Sequence, residues 1–392
     1  MLESFETALA GRLIYGEGRL AELGTALASL AGARARVLLV SDRGLAAAGI
    51  VERTSAALAA AGFAVAVSAE LAGEPGAADV DRAAAVARAH GAAAVVAIGG
   101  GSALDVGKLA AAIASAERPA ADYALMRAAL PERRAKLVLV PTTAGTGSEA
   151  TRTSVFAACD GRKLWAWGDA LRADLALLDP ALTRDLPRGL TVATGVDALV
   201  HAIEAATARR ASPLGDAFAL HAIRMITASL PRAAENPADL EARGRMLVAA
   251  HLAGLAIDLA GTGVAHALGH ALGTIGKVHH GRAVGHALRA ALAWNSAASP
   301  VRYAAVARAL GVPEAGRDET ALAAEAAAAY AAFLDRVGLP RSLADCGLGP
   351  ADADRLAAAS LAEENAPMRD NNARSLARTD MERLAHALLA PA

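Results

Sequence analysis

Aromatic residues are scarce. Trp, Tyr and Phe together make up 3% of the 392-residue chain, so its core has to be packed from Ala, Leu and Val. Cysteine is nearly absent, and Cys159 and Cys346 are too few for the disulfide framework of a small secreted scaffold. Charge of one sign is missing as well: 39 Lys and Arg stand against 40 Asp and Glu. The net charge of -1 gives no field to hold nucleic acid or an anionic membrane surface, and neither is expected as a partner. The start Met1-Leu2-Glu3-Ser4-Phe5-Glu6 lacks the basic and apolar regions of a secretory signal, so a cytoplasmic location is expected. The longest run without Asp, Glu, Lys or Arg, 259–276, is interrupted by Gly261, Gly263, Gly269, Gly273, Gly276, His266 and His270. It reads as a buried helix of a large domain and not as a membrane span.

What is present is a chain long enough for two or three domains. Short apolar runs at 36–41, 63–67, 94–98, 136–140 and 175–178 are strand-length and apolar on both faces, as parallel strands buried on both sides require. Helix-period segments at 50–61 and 80–90 lie between them, which makes a βαβ pattern with ligands expected at the carboxyl ends of the strands. The early run Arg12-Leu13-Ile14-Tyr15 is expected to be an extra strand or a subunit contact. After about Pro187 the strand-like runs stop, and Ala/Leu-rich helical periods continue to the end, broken at Ser212-Pro213, Asn236-Pro237, Gly311-Val312-Pro313, Leu339-Pro340 and Gly349-Pro350. This places an α/β domain at 1–186 and an all-helical domain at 187–392. Nine of the ten histidines fall in the second, and helix packing alone does not ask for that.

Three loops at strand ends are candidates for cofactor chemistry, with a plain tight turn as the alternative for the glycine triplet. Gly99-Gly100-Gly101-Ser102-Ala103-Leu104-Asp105-Val106-Gly107-Lys108 follows the 94–98 strand, where glycines let backbone N–H groups approach a phosphate at a helix N-terminus. It is neither a P-loop, since Leu109 replaces the hydroxyl, nor G-x-G-x-x-G, since Leu104 occupies the last position. Pro141-Thr142-Thr143-Ala144-Gly145-Thr146-Gly147-Ser148 follows the next strand and supplies hydroxyls for a pyrophosphate or ribose, although Thr and Ser also serve as plain helix caps. Asp42, at the tip of the first central strand, suits a ribose diol and would repel a 2′-phosphate, favouring NAD over NADP; capping of the next helix is the alternative. In the second half, Asp197 and His201 stand four apart on one helical face, and His266 and His270 repeat that spacing, with His279-His280 following. One carboxylate and several imidazoles on facing helices suit a divalent ion such as Fe²⁺ or Zn²⁺.

Taken together these segments resemble the iron-containing (group III) alcohol dehydrogenase family over most of the chain. The resemblance rests on Gly99 to Ser102 with Asp105 and Lys108, on Pro141 to Thr146 with Ser148-Glu149, on Asp179-Pro180 through Pro187 to Gly195-Val196-Asp197 and Glu204, and on His266, His270 and His280-Gly281. It implies an α/β N-terminal Rossmann-like domain with a parallel sheet plus an all-α C-terminal domain, the fold shared with dehydroquinate synthase. It also implies a homodimer that moves hydride between NAD and a small alcohol, aldehyde or ketone. Carried over residue by residue, Asp197, His201, His266 and His280 hold the metal, Fe²⁺ with Zn²⁺ as the alternative, and His270 is the catalytic histidine beside the nicotinamide. Asp42, Gly99, Gly100, Gly101, Ser102, Asp105, Thr142, Thr143, Thr146, Lys163 and Leu182 contact the cofactor. His279 has no family role. The chain departs from commoner members at Arg152, at Lys277-Val278-His279 and at 366–372, segments expected to line the substrate end of the site. Two rivals are a metal- and NAD-dependent lyase of the dehydroquinate synthase type, expected to use Glu as first ligand with several Lys and Arg nearby, and a non-catalytic nucleotide-binding protein.

Overall fold

The computed structural model describes residues 9 and 11–390; the acidic start Met1 to Glu6 lies outside them. Two compact units emerge. Leu9–Thr143 and Ser148–Arg184 form an α/β unit, while Ala144–Gly147 belongs with the chain from Asp185 onward.

The α/β unit contains strands β1 (Arg12–Tyr15), β2 (Arg36–Asp42), β3 (Ala64–Leu71), β4 (Ala94–Gly99), β5 (Lys136–Pro141), β6 (Thr153–Ala157), β7 (Lys163–Trp167) and β8 (Leu175–Leu178). Its helices are α1 (Leu23–Ala31), α2 (Arg43–Ala47), α3 (Ile50–Ala60), α4 (Ala77–His90) and α5 (Gly101–Ile113). Six strands pair in parallel in the order β1-β8-β5-β4-β2-β3. The order reverses between β2 and β4, because β2 leads outward to β3 while β4 leads the other way to β5. Helices α1 and α3 cover one face and α4 and α5 the other, so β4 and β5, covered on both, are apolar almost throughout. Strand β3 departs from the expected two-sided burial: it is an edge strand, and only Leu71 is fully covered. The early run is the other edge, β1, paired with β8 and leaving Leu13 and Tyr15 exposed. Antiparallel strands β6 and β7 form a hairpin that the sequence reading did not single out.

The second unit is helical: α6 (Arg188–Thr207), α7 (Pro213–Glu235), α8 (Leu240–Ala260), α9 (Val264–Gly276), α10 (His280–Ser296), α11 (Pro300–Ala309), α12 (Glu319–Val337), α13 (Ala353–Ser360), α14 (Ala366–Asp370) and α15 (Arg378–Leu389). The Pro and Gly breaks are its joints. Ser212 caps α7 by accepting from Gly215 N–H with Pro213 at the first turn, and Gly338 ends α12 in the left-handed region. Buried Ala residues let the helices approach closely, and α6 is covered from Thr191 to Thr207. Ala144 packs into this core, and a Cβ on Gly147 would stand 2.5 Å from Ala250 O. Among the described residues no single helix is long and apolar enough to cross a membrane. The run 259–276 is divided between α8 and α9, which bend by 107° at their junction.

Candidate active site

Within the α/β unit, the predicted cofactor loops meet where the strand order reverses, the place at which open α/β sheets bind ligands. Gly99 ends β4 at φ +156, where a Cβ would collide with that of Ala103 at 2.6 Å, and Gly100 is the N-cap of α5. No side chain caps α5, so its first N–H groups, from Gly101 and Ser102, point out of the helix end as an anion site requires. On one side Asp42 Oδ1 accepts from Leu45 N–H at 3.0 Å, the capping role weighed above. Its Oδ2 faces Gly99. On the other side Thr142 N–H donates to Gly99 O at 2.9 Å, and Thr143 stands beside Gly100.

Three predicted contacts sit differently. Asp105 accepts from Ser148 Oγ at 2.5 Å and from Val155 N–H at 3.0 Å, with fully buried Lys108 Nζ 3.5 Å away. Burial raises its pKa, opposed by Lys108 and these hydrogen bonds. Lys108 in turn donates to Ser148 O, Ser148 Oγ and Thr151 Oγ1, so this cluster ties Ser148 and Thr151 to α5. Lys163 lies on β7 and pairs with Glu74 at 2.7 Å. Leu182 packs against the sheet on the face covered by α1 and α3.

In the helical unit, α6 carries Asp197, His201 and Glu204, α9 carries His266 and His270, and α10 begins at His280. Asp197 Oδ1 lies 3.8 Å from His201 Nε2, 3.9 Å from His266 Nε2 and 3.4 Å from His280 Nε2. One ligand atom from each of the four residues falls within 4.8 Å of all the others. Ligands about 2.1 Å from a tetrahedral ion stand about 3.4 Å apart, so the set is of the right size. Asp197 Oδ1 and His266 Nε2 are buried without a hydrogen-bond partner among the described residues, a cost that a bound cation would remove. Burial pushes the His201 imidazole down to about 4, helped by His266 and opposed by Asp197, which keeps it in the neutral form that ligates. His270 is not in the set; its ring centre stands 5.5 Å from that of His280. The repeated i, i+4 spacing thus falls on two of the three helices that form the cluster, with α9 bringing one candidate ligand, His266, and α10 another, His280.

Close helix contact makes this possible. A Cβ on Gly281 would lie 1.9 Å from Ala193 O, so only glycine lets α10 start against α6 with His280 beside Asp197. Glu204, part of the motif on α6, has a role that its sequence position alone does not assign. It accepts from Ala265 N–H at 2.7 Å through Oε1, and its Oε2 lies 2.6 Å from His266 Nδ1, fixing the ring so that Nε2 faces the other ligands. Its position seven residues after Asp197, two turns along the same face, was the available signal.

The departures from commoner members are placed as well. Arg152 reaches Asp169 and stacks over Trp167 at 4.5 Å in the α/β unit. Lys277 and His279 are exposed, with Val278 buried between them. Asn371 and Asn372, expected at the substrate end, spend their amides on buried protein groups: Asn371 on Ala260 O and Thr262 O, Asn372 on Asn295 Oδ1 and Arg374 O.

Comparison with known proteins decides the family. The family described as iron-containing alcohol dehydrogenase matches residues 10–180, and its C-terminal counterpart matches residues 191–389. The chain belongs to the iron-containing alcohol dehydrogenase family. It is 33% identical over 345 residues to the NAD-dependent methanol dehydrogenase of Bacillus methanolicus, covering 88% of this chain and 90% of that protein. The crystal structure of a 1,3-propanediol oxidoreductase superposes with a TM-score of 0.92 at 30% identity, covering 98% of this chain and 100% of that one. A sulfoacetaldehyde reductase from Bifidobacterium kashiwanohense, solved in complex with NAD⁺, gives 0.87 at 30% identity and 99% coverage of both. The parallel α/β domain followed by a helical domain is thus the family fold, and the protein is an oxidoreductase acting on CH–OH groups. Neither the lyase nor the non-catalytic reading finds support among these relatives.

Proposed function

We propose that this chain is a cytoplasmic, homodimeric alcohol dehydrogenase that couples a small alcohol and its aldehyde or ketone to NAD, with NADP disfavoured, and that it needs Fe²⁺ or, alternatively, Zn²⁺. The observation that carries this reading is the convergence of Asp197 Oδ1 with the Nε2 atoms of His201, His266 and His280, two of the four atoms being buried and otherwise unpartnered. When bound, the cation acts as a Lewis acid on the substrate oxygen and the nicotinamide accepts or returns hydride.

The protein's own residues do the rest. Asp197 and the three neutral imidazoles hold the cation with net positive charge, and Glu204 holds the His266 ring in place. His270 takes the proton of the substrate hydroxyl on its imidazole and returns it in the reductive direction. In the α/β unit the N–H groups at the start of α5, with Gly99 to Ser102, receive the pyrophosphate. Thr142, Thr143 and Thr146 supply hydroxyls, and Asp42 Oδ2 remains for the ribose diol while Oδ1 caps α2. The test is NADH oxidation, followed by its near-ultraviolet absorbance, by the Fe²⁺-reconstituted protein against a panel of aldehydes and ketones, each repeated after chelation. Turnover that vanishes on chelation and returns with metal is expected. Release of inorganic phosphate from a phosphorylated substrate without any carbonyl reduction would return the lyase reading.

A further inference from the structure

Helix α9 brings His266 to the ligand cluster, yet it begins at Gly263 without a side-chain cap of its own. Its first N–H groups are met by residues far away in sequence: Val264 donates to Asn372 Oδ1 at 3.3 Å and Ala265 to Glu204 Oε1. Asn372 is buried, and its amide is fully engaged. Asn295 Nδ2 donates to the same Oδ1 at 3.1 Å, while Asn372 Nδ2 donates to Asn295 Oδ1 at 2.8 Å and to Arg374 O at 2.9 Å. Asn295 lies on α10, the helix that starts with His280. Just beyond α6, Arg209 Nε donates to Asn372 O at 2.9 Å. One residue near the C-terminus therefore touches α9 and α10 at their ends and the segment just beyond α6.

We propose that Asn372 is a positioning residue for the metal site: through Val264 N–H, Asn295 and Arg209 it fixes the start of α9 against α6 and α10, and so fixes the place of His266 among the ligands. This rests on the metal reading above. Its neighbour Asn371 supplies the control, because it holds Ala260 O and Thr262 O but makes no hydrogen bond to the first turn of α9.

The experiment titrates the chelator-stripped, full-length protein with Co²⁺, reading visible absorption and a competing chelator, beside thermal unfolding of the metal-free forms. Asn372→Ala is expected to weaken Co²⁺ binding by about 10- to 100-fold and to alter the visible band. Asn371→Ala should melt earlier to a similar extent yet keep its Co²⁺ affinity within about twofold. Asn295→Ala, which loosens Asn372 without removing its contact to Val264, should fall between the two; it carries the test if Asn372→Ala does not fold. Unchanged Co²⁺ affinity and band in Asn372→Ala, or equal loss in Asn371→Ala, would overturn the assignment. Failure of the unaltered protein to take up Co²⁺ would instead remove the metal reading itself, and this inference with it.

Discussion

The two units prepare their functional groups in opposite ways. At the strand ends of the α/β unit, the buried polar side chains are closed on one another: Lys108 on Ser148 and Thr151, Asp105 on Ser148 and Val155. What remains on offer there is backbone, hydroxyl and the second oxygen of Asp42. In the helical unit, Asp197 Oδ1 and His266 Nε2 are buried and have no hydrogen-bond partner among the described residues, although Glu204 holds the other ring nitrogen of His266. The candidate cofactor loops are hydrogen-bonded without a ligand, whereas the candidate metal cluster keeps buried atoms that a cation would satisfy. The difference teaches that unsatisfied buried atoms point to a cation only where ligand atoms converge, as the four of Asp197, His201, His266 and His280 do within 4.8 Å.

Three substitutions test that contrast. The largest effect is expected from His266→Ala, which should lower metal-dependent kcat/KM by about a thousandfold, equivalent to about 4 kcal/mol, while leaving NADH affinity measured by fluorescence nearly intact. Equal loss of both would dissolve the division of roles. Lys108→Met strikes the closed network. Removing one partner of a buried pair should cost about 3 kcal/mol, read as a lower midpoint in urea, with Co²⁺ affinity unaffected. A midpoint unchanged within error would mean that the network is not what holds Ser148 and Thr151 against α5. The smallest change is expected from Asp42→Gly, which should shift the NAD to NADP preference by about tenfold towards NADP, since a carboxylate repels the 2′-phosphate. Unaltered selectivity would leave Asp42 as a helix cap alone.

Much of the fold was legible because parallel strands write themselves as unbroken apolar runs, as at 94–98 and 136–140. Strand β3 misled on the same principle, since its Ala and Val residues look internal while the strand lies at an edge. Hairpin β6–β7 was missed although Asp160-Gly161 sits between its strands, because its residues do not alternate sharply. At the candidate site, the histidine spacing pointed to α6 and α9, but which rings come together depends on how α9 and α10 meet α6, and the close approach of Gly281 to Ala193 is a contact that no periodicity encodes. Asn372 was invisible in this sense: Asn295 and Val264, the partners that tie it to α10 and α9, lie 77 and 108 residues away, and sequence-local signals say nothing about such caps.

The four-residue stretch Ala144–Gly147 belongs to the helical unit although the chain before and after it belongs to the other. A gene cut once near residue 186 would therefore yield a helical fragment lacking an internal piece of its own core, the seat of Ala144 and Gly147. The two units cannot be traded between relatives as a simple fusion. Recombination that respects the architecture has to carry the loop after β5 together with the helices it completes, and a ribosome must finish most of the chain before that loop can find its place.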